Sequence, residues 1–272
     1  MQTRNVVGVL LAMGLAVGPP TWAEDAEPKD EEAARKAASA EARRADTEEA
    51  LELLQRSLDF LTAQQKFSFI ASTGHDVLQS NGQKLEFGGR RRMLVRRPDR
   101  MRVDLKRRGG ENVSLYFDGR QIAFDLPDDN AYVAVEKSGT LDEAIDYLDD
   151  DLREPTPLLD LIDTRLYSDL EKKVRYGLWV GEERLGDRLC DHLAFQGDTV
   201  DFQIWIEQGD RPLFVRLLIT YKQEPGSPQF WADWTHWDLD PDVDDGHFAY
   251  SPAEGVERIP FAPRPERRAE NR

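Results

Sequence analysis

The stretch DGRQIAFDLPDDNAYVAV, residues 118–135, reads as strand, turn, strand. Asp118-Gly119 is turn chemistry that opens a strand, and Pro127-Asp128-Asp129-Asn130 closes it. An alternating strand then runs to Val135. The same rhythm extends upstream. Phe67, Phe69 and Ala71 alternate with polar neighbours, as do Met101, Val103 and Leu105, then Val113, Leu115 and Phe117. Asn81-Gly82, Arg97-Pro98-Asp99-Arg100, Arg108-Gly109-Gly110 and Asp118-Gly119 punctuate these runs. The pattern predicts an antiparallel meander of about six strands, one face wet and the other covered.

Downstream the period changes. Leu141, Ala144, Ile145 and Leu148 fit one short helix, and Leu158, Leu159, Leu161 and Ile162, after Pro155 and Pro157, fit a second. Strand rhythm resumes near Val174 and continues through 190–196, 200–207, 213–221 and 230–239. The total is ten or eleven strands. No βαβ alternation is present, which argues against a parallel sheet. Before the meander, Leu51, Leu54, Leu58 and Leu61 give an amphipathic helix over 47–65, with a capping-box start at Asp46-Thr47-Glu48-Glu49.

Arg4, the apolar run Val6–Val17 and the small residues before Ala23 form a secretory signal, with cleavage expected after Ala23. The expected layout is a signal peptide at 1–23, a disordered or loosely helical charged extension at 24–45, one domain at 46–262 and a disordered tail at 263–272. Export to the periplasm follows from the signal. The net charge of −16, from 36 basic and 52 acidic residues, argues against nucleic acid as the main partner.

The only cysteine, Cys190, precedes Asp191 and His192. On a strand Cys190 and His192 share a face and Asp191 takes the other, so Asp191 cannot orient the imidazole, and a buried free thiol is expected. Carboxylates at every second residue from Asp238 to Asp244 invite calcium, but the glycine and glutamate of an EF-hand loop do not fall in place. No nucleophile elbow, phosphate loop or zinc motif occurs, so no catalytic residue, metal or cofactor is expected. The basic run from Arg90 to Arg108 stands out in an acidic chain, and Arg90, Arg91, Arg92, Arg96 and Arg97 are candidates for an anionic docking patch. Strand alternation puts Trp231 and Trp237 on one face and Trp234 on the other.

The 118–135 stretch resembles the strand-turn-strand of the outer-membrane lipoprotein carriers, Arg97-Pro98-Asp99-Arg100-Met101-Arg102-Val103 is similar to the turn that precedes it, and Leu158–Ile162 matches their helical insertion. A closer resemblance is to a family of predicted periplasmic proteins of unknown function, distantly related to those carriers. It rests on Cys190-Asp191-His192-Leu193-Ala194-Phe195, Trp205-Ile206-Glu207, Asp210-Arg211-Pro212, Pro225-Gly226-Ser227-Pro228-Gln229-Phe230, Pro252-Ala253-Glu254-Gly255-Val256 and Ile259-Pro260-Phe261, and spans roughly 47–262. The resemblance implies a mainly β, strongly curved antiparallel sheet, an incomplete barrel, with helices over its concave face and an apolar cavity between. In the carriers that cavity holds acyl chains, and several arginines between Arg90 and Arg102 could match their functional arginine.

The reading is therefore a monomeric, non-enzymatic periplasmic protein that binds a lipid or lipid-like ligand. The expected lining is Leu54, Leu58, Phe67, Phe69, Met101, Val103, Leu105, Val113, Leu115, Phe117 and Leu158. A cell-envelope regulator or adaptor that contacts a membrane-associated protein is the alternative. A hydrolase acting through Cys190 is the third.

Overall fold

The computed structural model describes residues 29–150 and 158–260. The chain divides into two units, residues 1–40 and residues 41–272, and the described part of the first, residues 29–40, is helical. The expected signal peptide and C-terminal tail lie outside the described residues.

The first helix, α1, spans Lys29–Thr62, so Asp46 is not its start. The Ala, Glu, Lys and Arg residues upstream of it are among the best helix formers, and they carry the helix with no apolar stripe. Thr47 sits inside the helix. Its hydroxyl donates to the Arg43 carbonyl one turn back (2.7 Å) and accepts from the Gly177 N–H (3.0 Å). Farther along, the buried Ser57 hydroxyl donates to the Pro212 carbonyl (2.5 Å), so α1 is tied to the sheet at two points.

The described residues form one sheet of twelve strands. A meander comes first: β1 (Lys66–Leu78), β2 (Lys84–Arg96), β3 (Arg100–Arg107), β4 (Asn112–Phe117), β5 (Gln121–Leu126) and β6 (Ala131–Glu136). The expected turn residues stand between them, and Gly82, Gly110, Gly119 and Asn130 have positive φ, the left-handed conformation that glycine and asparagine tolerate. The helical insertion follows, with α2 at Leu141–Asp150, a 3-10 turn at Asp160–Ile162 and α3 at Leu166–Lys173. The second expected helix is thus only this single turn. The helix after it, not among those expected, is rich in charge, and its short apolar repeat, Leu166, Tyr167 and Leu170, packs against the core.

The second run is β7 (Val174–Leu185), β8 (Arg188–Gly197), β9 (Val200–Glu207), β10 (Phe214–Tyr221) and β11 (Gln229–Asp238), closed by the two-residue β12 (Glu257–Arg258). The order is β12-β6-β5-β4-β3-β2-β1-β11-β10-β9-β8-β7. Pairing of β1 with β11 joins the two meanders antiparallel. β12 adds to β6 as the parallel pair, which the ten or eleven expected strands did not include. β7 stays an open edge with two register shifts against β8, so the sheet curls without closing.

The alternating inward residues of the sheet meet α1 and α2. Leu54, Leu58 and Leu61 from α1 and Leu141, Ala144, Ile145 and Leu148 from α2 join Phe67, Phe69, Met101, Phe117 and Trp234 in one core. Counting by two fails along β11. A register shift between Ile70 and Ala71 against β11 leaves Thr235 as an extra residue, and this brings Trp237 to the same face as Trp234, the rings stacked 6.2 Å apart. Trp231, expected to share a face with Trp237, lies on the outer face instead, over Gly74 and Glu86.

Candidate functional site

The core does not fill the concave face. Between β1, β2, β3, β4 and the end of β10 and start of β11 opens a cleft of about 710 Å³, roofed by Leu158 and Leu159. Its size is within the range of small-molecule sites, about 300–1,000 Å³. Of the expected lining, Val103, Leu105, Val113, Leu115 and Leu158 are in its wall. Leu54, Leu58, Phe67, Phe69, Met101 and Phe117 are not. They are buried in the packed core beneath α1 and α2, where large rings leave no space.

The remaining wall was not expected. His75 and Val77 come from β1, Phe124 from β5, and Tyr221, Pro225, Pro228 and Phe230 from the β10–β11 hairpin. Phe124 and Phe230 lie on alternating inward positions and were open to the same reading as Phe117. The contribution of β10 and β11 depends on the β1–β11 pairing, across more than 150 positions of sequence, which no local pattern encodes.

The basic run divides by strand alternation. Arg91, between Ala71 and Leu105 in register, points into the cleft, while Arg90 and Arg92 take the outer face. The Arg91 guanidinium sits 5.9 Å over the Phe230 ring, and its Nε is buried with no hydrogen-bond partner among the described residues. Burial, with Arg107 nearby, lowers its pKa from the ordinary arginine value. Arg96 pairs with Asp245 and lies over Phe248. Arg97 donates to the Ile162 carbonyl (3.0 Å), and the adjacent Pro98 carbonyl accepts from the Leu141 N–H (2.8 Å). Arg96 and Arg97 therefore fasten the C-terminal strap and the helical insertion to the sheet.

Two further titratable groups line the cleft, Tyr221 and His75, and Asp160 is an electrostatic neighbour of Tyr221. Burial raises the Tyr221 hydroxyl to about 12, with Asp160 adding to the rise. Asp160, in the 3-10 turn, is raised to about 7 by burial and by Asp149 and Asp163. His75 is lowered by burial and by Arg91 and Arg107. The cleft is thus apolar with a small polar cluster at one side.

A second depression of about 780 Å³ is lined largely by charged residues, among them Arg188, Glu207, Asp210, Arg211 and Asp238. Arg188 is already engaged, donating to the Trp234 carbonyl (2.9 Å). Such walls do not suit an apolar ligand.

Cys190, Asp191 and His192 are not assembled as a catalytic unit. The Cys190 thiol is buried with Trp205 and Val215 outside the main core, and burial raises its pKa. His192 stacks on Trp205 at 4.1 Å and contacts Gln203 Oε1 at 3.0 Å. Asp191 accepts from Trp179 Nε1 (3.1 Å) and Gln208 Nε2 (2.9 Å). The acidic 238–245 segment is spent on the sheet as well, with Asp240 on Lys66 (2.7 Å) and Asp245 on Arg96.

Among solved structures, the chain is similar to an uncharacterized conserved protein of Thermus thermophilus (11% identity, 78% of this chain and 99% of that one, TM-score 0.46). It is similar to the Mycobacterium tuberculosis lipoprotein LppX (16%, 72% and 98%, 0.43) and to a LolA-superfamily protein of Nitrosomonas europaea (10%, 74% and 97%, 0.32). Likenesses this distant assign no ligand, partner or activity. No curated protein matches the chain. The family model described as "Predicted periplasmic protein (DUF2092)" matches residues 50–262. With the cleft, the unclosed sheet and that match over most of its length, the chain belongs to this family of predicted periplasmic proteins.

Proposed function

We propose that the protein binds an acyl-chain ligand with an anionic head in the cleft and carries it without chemical change. The observation that supports this is the wall itself: Val103, Leu105, Val113, Leu115 and Phe230 around the half-buried Arg91, whose Nε is buried and unpartnered among the described residues. Each methylene transferred from water into such a wall contributes about 0.8 kcal/mol. A carboxylate or phosphate near Arg91 would satisfy the guanidinium, whose burial otherwise carries a desolvation cost.

The test is organic extraction of the purified chain with mass spectrometry, together with uptake of a fluorescent fatty acid. Leu105→Trp fills the cleft and is expected to abolish uptake. Arg91→Leu is expected to weaken the fatty-acid anion severalfold while leaving the matching fatty alcohol unchanged. Equal uptake by Leu105→Trp and wild type sinks the reading.

A further inference from the structure

The β1–β2 hairpin outruns the strand ladders on both of its sides. β11 pairs with β1 only as far as His75, and β3 pairs with β2 only as far as Gly89. Residues 76–88 therefore form a two-stranded ribbon that projects past both adjacent strands, by roughly 15 Å at 3.3 Å per residue. At its base Asp76 accepts from the Gln229 N–H (3.1 Å) and Leu78 lies beside Gly226 of the β10–β11 hairpin, but Leu85 and Phe87 are not part of the apolar core among the described residues. The ribbon carries Val77, Leu78, Leu85 and Phe87, four of the six exposed large hydrophobic residues among those described, with Phe87 half exposed.

Register places three of these four side chains on one face and Leu78 on the other. Val77 is paired with Leu85 and His75 with Phe87, all on the face that continues the inward row Phe69, Ala71, Thr73. His75 and Val77 also line the cleft. The apolar strip thus runs unbroken from the cleft wall onto the ribbon.

Charge surrounds the strip. On residues 76–90 and 105–113 stand five cations, Lys84, Arg90, Lys106, Arg107 and Arg108, against three carboxylates, Asp76, Glu86 and Glu111. Each carboxylate has a cation: Lys84 on Asp76 (3.5 Å), Arg108 on Glu86 (2.7 Å) and Arg107 on Glu111 (2.8 Å). Arg90 and Lys106 face each other across β2 and β3 with no acidic partner among the described residues. Like charges directly opposed cost stability, so a local cationic excess persists on a chain of net charge −16.

We propose that this ribbon is a membrane-docking element, which inserts Leu85 and Phe87 at the surface of an anionic bilayer and sets the cleft mouth against it. An apolar tip with a cationic collar is the amphipathic pattern of an interfacial anchor. The acidic remainder of the surface is repelled by the same bilayer, so the collar fixes the orientation of approach. The docking role rests on the cleft reading for its purpose, not for its binding.

The test is co-sedimentation of the full chain with vesicles of phosphatidylethanolamine and phosphatidylglycerol, with phosphatidylcholine vesicles as control. Wild type is expected to bind the anionic vesicles and to release at high salt. Leu85→Ser with Phe87→Ser, both outside the cleft wall, is expected to lose at least about tenfold in partitioning. Arg90→Gln with Lys106→Gln is expected to lose severalfold and to flatten the salt dependence. Both variants should keep fatty-acid uptake in solution and an unchanged circular dichroism spectrum. Wild type that stays in the supernatant overturns the proposal, as does a serine variant that sediments like wild type. A ribbon-dependent dimer without vesicle binding also overturns it, since the occupant is then a second copy. Vesicle binding without fatty-acid uptake removes the cleft reading and leaves docking in place, and uptake without vesicle binding does the reverse.

Discussion

Strand β3 holds both ends of the concave face. Met101 at one end is fully buried beneath the helices, while Val103 and Leu105, inward in the same register, face the open cleft. β4 repeats the contrast, from a fully buried Phe117 to a half-buried Val113. At the filled end, Phe67, Phe69, Trp234 and Trp237 pack ring on ring, with Phe69 and Trp237 centroids 4.9 Å apart. At the open end β3 and β4 present the aliphatic Val103, Leu105, Val113 and Leu115, and the helical cover is reduced to Leu158 and Leu159. The same alternation therefore serves stability at one end and open space at the other. What separates them is side-chain volume and what lies across from it.

That contrast can be broken at either end. At the filled end, Phe69→Ala should lower stability by about 3–5 kcal/mol in urea unfolding, since a cavity in a packed ring cluster cannot collapse. At the base of the ribbon, a Cβ on Gly89 would collide with the Lys106 carbonyl. Gly89→Ala should cost on the order of 1–3 kcal/mol by forcing β2 away from β3. At the open end, Leu105→Ala should cost under about 2 kcal/mol, because Leu105 is half-buried and faces the cleft, while altering ligand uptake. Comparable losses for Phe69→Ala and Leu105→Ala would erase the distinction.

The cleft roof should respond to pH. Folding raises the Asp160 carboxyl from 3.8 to about 7, so the folded chain holds this proton more tightly than the unfolded one. Its contribution to stability is complete below the unfolded value and is lost as pH rises toward and through 7. The groups facing it are Asp149, Asp163, Lys173 and Tyr221. Relative to wild type, Asp160→Asn should gain in thermal midpoint between pH 4 and pH 7, and the difference should level off above that. The smallest effect belongs to the outer face. Cys190→Ala, in the small cluster with Trp205 and Val215, should cost only about 1 kcal/mol and leave ligand uptake untouched.

Much of this architecture is written locally. Turn residues and period-two runs specify the six-stranded meander, and the leucine repeat specifies the buried face of α1. What escaped is non-local or irregular. The bulge at Thr235 reverses the faces of Trp234 and Trp237 relative to a simple count, and β12 has only two residues. The helical start of α1 was hidden by Asp46-Thr47-Glu48-Glu49, whose capping chemistry is used mid-helix to reach β7. For the site, four wall residues, Val103, Leu105, Val113 and Leu115, follow from alternation alone, but four others chosen by the same rule, Phe67, Phe69, Met101 and Phe117, are core. Alternation says which way a side chain points and is silent on whether anything meets it. The division of Arg90, Arg91 and Arg92 was readable once β2 had a register, since adjacent residues must take opposite faces.

The open edge of β7 bears on how copies of the chain meet. An unclosed sheet exposes a row of backbone donors and acceptors that another strand could extend. Here that row is interrupted twice, at Val174/Tyr176 and at Trp179/Gly181, where Gly181 has a φ of 142°. Glu182, Glu183 and Arg184 follow directly along it. A second copy approaching edge to edge would find no straight run longer than a few residues and would bring like carboxylates together. The fold leaves its sheet unclosed and spoils the long edge that this openness creates.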